Sequence, residues 1–262
     1  MDLGISGRVG VVFGAGGGLG GAISLALARE GVTVIGCDTN EARLTQTVER
    51  ARDAGGTVVP ELVGLGSGDE LDDAMDGLVR RFGTISILVN NTVGPPPSAI
   101  EEIGEETWQK YFSLMVSPVF RVTNKLVPAM REQRWGRVIT SASSGVVSPI
   151  RHLGISNSLR SSLVGWSKTL ANEVGADGVT VNMVLPGRIE TGRIRSLDAA
   201  RAAREGLAVS DVVATSVGSI PAGRYGTPEE YGDVVAFLAS ERASYITGTV
   251  TRVDGGMVPS VY

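Results

Sequence analysis

Cysteine and histidine are nearly missing from this chain: Cys37 and His152 are the single examples among 262 residues. A lone thiol closes no internal disulfide, so a disulfide-stapled scaffold is excluded and a reducing compartment is the default. The same scarcity removes a cysteine-ligated metal site, and no metal is expected. Basic charge is short as well. Lys and Arg number 24 against 28 Asp and Glu, a formal net charge of −4, which leaves no basic stripe to neutralise a nucleic-acid backbone. No apolar run is long enough to cross a bilayer, and the opening residues carry no charged leader followed by an apolar signal region. A cytoplasmic protein with neither membrane nor nucleic acid as partner is expected.

Glycine, by contrast, is abundant at 36 residues, and its densest stretch organises the rest. Val9, Val11, Val12 and Phe13 form a short apolar run that fits a fully buried strand and stops at Gly14. Gly16, Gly17, Gly18, Gly20 and Gly21 follow, with Leu19 among them, and the chain then reads as a helix carrying Ile23, Leu25 and Leu27 inward. A strand, a glycine turn and a helix N-terminus make an anion site, because unpaired amides and the positive helix end favour a pyrophosphate. The next strand, Val32 to Cys37, ends in Asp38. That is about 20 residues beyond the loop, where a dinucleotide-binding unit places an acid on the adenosine ribose hydroxyls. Asp38 repels a 2′-phosphate, and no Arg or Lys sits inside the loop or directly after Asp38. NAD is therefore preferred, with NADP kept open.

An apolar content of 42% buries a full core, and the length suits one large α/β domain over residues 1–262. Strand and helix patterns alternate without a compositional break, which predicts a doubly wound, mostly parallel sheet flanked by helices. Helices are expected at 46–54, 71–82, 105–130 with a bend or break at Pro118, 157–174 and 231–239. Strands are expected at 57–63, 86–90, 137–141, 179–185 and 250–253. Residues 188–225 show no strand pattern and read as an insertion over the carboxyl edge of the sheet, a substrate lid.

Several marks together resemble the short-chain dehydrogenase/reductase family along essentially the entire chain. They are Gly14-x-x-x-Gly18-x-Gly20, Leu88-Val89-Asn90-Asn91, Gly136-Arg137-Val138-Ile139, Pro186-Gly187 with Thr191, and Tyr245-Ile246-Thr247-Gly248 through Asp254-Gly255-Gly256. The tail is most similar to the 3-oxoacyl-acyl carrier protein reductase branch. The resemblance implies a seven-stranded Rossmann-like sheet, a nicotinamide cofactor, hydride transfer between carbonyl and alcohol, and a homotetramer or homodimer built on the faces of helices 105–130 and 157–174. It implies cofactor contacts from the glycine turn, Asp38, Leu65, Asn90, Arg160, Pro186, Gly187, Ile189 and Thr191.

The likeness breaks where the family keeps its chemistry. A tyrosine four residues before a lysine is usual on the helix after the fifth strand, with a serine thirteen residues before the tyrosine. Counted from Gly165-Trp166-Ser167-Lys168, those positions hold Ser156, Arg160 and Ser143. Only the serine is retained, and the usual asparagine falls on Met115. A phenol of pKa near 10 is a usable acid once a cation lowers it, whereas the Ser156 hydroxyl is too weak an acid and too short. Arg160 keeps a charge, and with a pKa above about 12 it orients and stabilises without exchanging protons.

Three functions stay open on these residues. The first is carbonyl or alcohol redox chemistry with Ser143, Ser156 and Arg160 as catalytic groups and water or His152 as proton source. The second is non-redox lyase or dehalogenase-type chemistry at the Ser143/Arg160 pocket. The third is cofactor binding without turnover, as in a sensor or a partner subunit. Arg151, Arg160, Arg188, Arg193 and Arg195 fall around the open edge of the sheet, and an anionic or carrier-linked acyl substrate suits them; ordinary solvated charge is the plain alternative.

Overall fold

In a computed structural model that describes residues 1–66 and 68–261, the chain builds one parallel seven-stranded sheet in the order β3-β2-β1-β4-β5-β6-β7. The strands are β1 (Val9–Phe13), β2 (Thr33–Asp38), β3 (Thr57–Leu62), β4 (Ile87–Asn91), β5 (Gly136–Ser141), β6 (Val179–Pro186) and β7 (Val250–Val253). Successive strand residues face opposite sides. Val12 points to one apolar layer with Ile23 and Leu27, while Val11 and Phe13 point to the other with Leu71, Met75 and Leu126. Two buried faces explain the near-continuous apolar runs.

The helices are α1 (Gly18–Arg29), α2 (Glu41–Asp53), α3 (Gly68–Phe82), α4 (Glu105–Met115), α5 (Ser117–Glu132), α6 (Gly154–Val174), α7 (Gly192–Glu205), α8 (Val209–Gly218) and α9 (Pro228–Leu238). The helix expected at 105–130 with a bend or break at Pro118 is broken there into two, separated at Val116. Pro118 supplies no N–H for the carbonyl four residues back, so the break falls just ahead of it. Helix α6 begins three residues earlier than its apolar stripe suggested, which puts Ser156 in its first turn. The reversal of strand order between β1 and β4 opens a crevice at the carboxyl edge of the sheet, where such folds receive ligands.

Helices α7 and α8 occupy most of residues 188–225. An ion pair from Arg188 to Asp198 at 2.6 Å secures the segment, and the Tyr225 hydroxyl donates to the other Asp198 oxygen at 2.9 Å. Asp198 is buried, so the pair is a shielded one. No helix among the described residues is long and apolar enough to cross a membrane.

Cys37 lies fully inside the layer under β2. Burial first, and the carboxylates of Glu61 and Asp38 after it, push its thiol far above the ordinary range. Because the thiolate is the reactive form, a thiol-specific disulfide reagent is expected to leave the native protein unlabelled and to label one site per chain once denaturant unfolds it. Rapid labelling of the native protein would contradict this packing.

Candidate active site

The glycine turn links β1 to α1. Gly14 adopts φ +67°, and a Cβ there would lie 2.7 Å from Asn91 Nδ2. The Asn91 amide in turn donates to Phe13 O at 3.2 Å, so the end of β4 props up the start of the turn. Helix α1 then opens on Gly17 with no side-chain cap and no acidic residue in its first turn. Helices α2, α7 and α9 differ, since Asn40, Thr191 and Thr227 cap them with side-chain oxygens. The first amides of α1, at Gly18, Leu19 and Gly20, are therefore left without intrahelical partners at the positive end of a helix. This donor set fits a diphosphate. The Leu19 side chain itself packs on the core.

Asp38 ends β2 directly below this turn. One carboxylate oxygen accepts from the Gly16 amide at 2.9 Å and the other from Asn40 N at 2.9 Å. Each oxygen keeps lone-pair capacity for a hydroxyl donor. Arg43, in the first turn of α2, approaches from the other side: a Cβ on Gly16 would lie 3.0 Å from Arg43 Cβ. The sequence reading overlooked Arg43, because it placed the start of α2 at Gln46; the Asn40 cap was the signal that would have found it.

The remaining cofactor positions scatter along the carboxyl edge. Leu65, after β3, packs partly buried with Val63. Asn90 is buried and its amide donates to Thr123 Oγ1 at 3.3 Å, inside the core. Pro186 closes β6, Gly187 N donates to Val253 O at 2.9 Å, and Ile189 is buried. Thr191 caps α7 and meets the glycine turn: a Cβ on Gly18 would come within 2.6 Å of Thr191 Cγ2. Two helix N-termini, of α1 and α7, thus lie against one another.

Arg160 spans the ends of β4 and β5, Ser143 lies two residues beyond β5, and Ser156 lies one helical turn before Arg160 on α6. The Ser143 hydroxyl oxygen accepts from Gly145 N at 3.1 Å, which leaves its O–H free to donate outward. Ser156 is buried in the first turn of α6, one turn before Arg160. Arg160 is buried too, and it spends its guanidinium on backbone. Nη1 donates to Ser141 O at 3.1 Å, and Nη2 to Thr92 O at 3.2 Å and Val93 O at 2.9 Å. No carboxylate pairs with it among the described residues. Burial lowers its pKa to about 10, with Tyr231 opposing the shift and the Arg193 charge adding to it. That is below the value above about 12 expected from the sequence, yet the group stays a cation at neutral pH and its non-titrating role is unchanged. On the far side of β5, the fully buried Tyr231 hydroxyl contacts Ser141 Oγ at 2.8 Å and donates to Val184 O at 3.1 Å. Burial raises this phenol well above its ordinary range.

His152 stands outside α6, in the turn that precedes it, with φ +61°. Its carbonyl accepts from Ser98 N at 2.8 Å, so the residue fastens the proline-rich loop after β4 to the entry of α6. Of the five arginines singled out in sequence, Arg188 is neutralised by Asp198, while Arg151, Arg193 and Arg195 are exposed.

Comparison with known proteins is consistent with this layout. Residues 14–258 match the family model described as enoyl-(acyl carrier protein) reductase. The 3-oxoacyl-acyl-carrier-protein reductase FabG of Thermotoga maritima is 34% identical over 256 residues, covering 97% of this chain and 99% of that protein. L-sorbose reductase from Gluconobacter frateurii, solved with NADPH and L-sorbose, superposes with a TM-score of 0.92 at 32% identity over 100% of both chains. An actinorhodin polyketide ketoreductase solved with NADPH gives a TM-score of 0.90 at 30% identity, covering 95% of this chain and 97% of the other.

Proposed function

The chain belongs to the short-chain dehydrogenase/reductase family, in its 3-oxoacyl-acyl carrier protein reductase-like branch, and on that premise we propose that it is a nicotinamide-dependent oxidoreductase interconverting a carbonyl and an alcohol. The observation that carries this reading is the uncapped N-terminus of α1, packed beside that of α7. A bound nicotinamide dinucleotide supplies the hydride. The α1 amides hold its diphosphate, and Asp38 accepts from its adenosine ribose. Leu65 and the turn after β3 would border the adenine, and Pro186, Gly187, Ile189 and Thr191 the nicotinamide end, with Asn90 supporting the end of β4 from the core. The free Ser143 O–H and the Ser156 hydroxyl bind the carbonyl oxygen, and the Arg160 charge stabilises negative charge developing there. Water or His152 delivers the proton, because neither serine is acidic enough to supply it. Residues 188–225 act as the substrate lid, and the chain self-associates as a dimer or tetramer through α4, α5 and α6.

Asp38 favours the cofactor without a 2′-phosphate, and Arg43 is the cation that would receive one. Relatives solved with NADPH or NADP support binding of the phosphorylated cofactor. The test is a titration with NADH and NADPH followed by a panel of 3-oxoacyl and sugar ketones. Binding of both, tighter for NADH, with oxidation of the reduced cofactor by at least one ketone is the expected result. Saturable cofactor binding with no turnover on any carbonyl would favour the sensor or partner-subunit reading. Release of an anion without cofactor oxidation would favour non-redox chemistry.

A further inference from the structure

Arg193 is the second residue of α7 and reaches across the crevice. Its Nη2 donates to Pro95 O at 2.5 Å, and a Cβ on Gly94 would lie 3.1 Å from the same nitrogen. The side chain therefore rests on the loop after β4, close to Val93, whose carbonyl Arg160 binds, and on the proposed reading this is the rim of the site.

Three observations set this arginine against its surroundings. No carboxylate among the described residues lies within ion-pairing distance of it, whereas Arg188 on the same segment has Asp198 at 2.6 Å. It carries positive charge at a helix N-terminus, where the macrodipole disfavours a cation. Its charge also reaches Arg160, a second guanidinium without an acid, and lowers that group's pKa. Burial lowers the pKa of Arg193 itself, and the nearby Tyr111 partly offsets this. Two guanidiniums thus sit on one loop, at Val93 O and Pro95 O, and neither is ion-paired among the described residues. A planar guanidinium at the mouth of a polar pocket matches a carboxylate in two-pronged geometry.

We infer that Arg193 is a specificity-determining residue that receives a carboxylate of the substrate, so that the preferred carbonyl compounds are oxo acids. The inference rests on the carbonyl-reducing reading of the pocket, but its test does not need turnover. Acetoacetate and its methyl ester serve as a matched pair, their binding measured calorimetrically with wild-type protein, Arg193→Ala, Arg193→Lys and Arg195→Ala. Arg195 lies on the same helix and is exposed like Arg193, so its variant removes the same charge without removing the contact to Pro95 O.

Arg193→Ala is expected to weaken acetoacetate about tenfold, the scale of one charged hydrogen bond, and the ester less than about twofold, with Arg193→Lys in between and Arg195→Ala near wild type. Equal weakening by Arg195→Ala would overturn the assignment in favour of diffuse charge attraction. So would an equal loss for acid and ester, or a loss confined to the Kd of NADH or NADPH, which would place the guanidinium on the cofactor diphosphate. Cofactor titrations on the same variants report separately, so a protein that binds acetoacetate in this pattern yet oxidises no cofactor would retain the inference and lose the catalytic reading.

Discussion

Gly20→Ala is expected to abolish nicotinamide-cofactor binding and to cost the fold at least about 2 kcal/mol, at the upper range of overpacking penalties. A methyl group at this position would overlap Gly14 O and lie 2.6 Å from Gly14 C and 3.1 Å from Ala15 N. All three atoms are backbone, and Gly14 is already committed to a left-handed conformation under Asn91. Relief therefore requires the turn to open, which withdraws the amides of Gly18 and Leu19 from a common anion. Gly77→Ala provides the contrast. Gly77 lies inside α3 with only the tip of Arg80 near, at 3.9 Å, so the methyl group fits and helix propensity should add about 0.5–1 kcal/mol. Chemical denaturation with calorimetric cofactor titration reads both variants. Wild-type affinity in Gly20→Ala would mean that the diphosphate does not sit on this turn.

Ser156→Tyr is expected to raise kcat for carbonyl reduction by about 10²-fold or more, the usual contribution of a positioned general acid. The substitution returns a phenol to the first turn of α6, one helical turn from a cation that lowers its pKa. Protonated phenol is the donor, so the gained rate should be full at low pH and decline as pH rises through the phenol's pKa; the wild-type profile should lack that limb. Adding Arg160→Lys tests the charge separately. One ammonium cannot reach Ser141 O, Thr92 O and Val93 O with the fork geometry now seen, so the double variant should lose about 1–3 kcal/mol of stability through unpaired carbonyls. Steady-state reduction followed by loss of reduced-cofactor absorbance, from acid to alkaline pH, decides the case. An unchanged kcat with intact cofactor binding would show that proton delivery does not limit turnover.

How much of this was legible in the sequence depended on whether the cause was local. The strands were legible because both faces of the sheet are covered, and Val9–Phe13 or Val179–Pro186 then admit apolar residues almost without interruption. The glycine turn was legible because a sharp strand-to-helix passage leaves few other residue types. Helix starts were harder. Leu153 precedes α6 without any side-chain cap, so nothing in its chemistry marks the boundary, and the early placement of Ser156 had to come from packing. At α2 the Asn40 cap was present, but Leu44 is the only large apolar residue in the first turns, and the periodic pattern appeared to begin later. The partners of Arg160 could not be read at all. Thr92 and Val93 lie 68 and 67 residues away in sequence, and only the closure of β4 beside β5 makes them neighbours. The same holds for Arg188 and Arg193. They look alike as surface charges, and tertiary placement gives one a buried acid and leaves the other facing a second cation.

Arg160 binds the final carbonyl of β5 and two carbonyls beyond β4, and Ser141 carries the contact through the sheet to Tyr231 on α9. Adjacent strand ends are thereby riveted from above and bolted from behind. The floor of the crevice is the stiff half of the site, and on the proposed reading accommodation of differently shaped guests falls to the lid that carries α7 and α8. Directed variation aimed at new guests should therefore be concentrated in that lid, since changes to the floor would loosen the sheet before they reshaped the room above it.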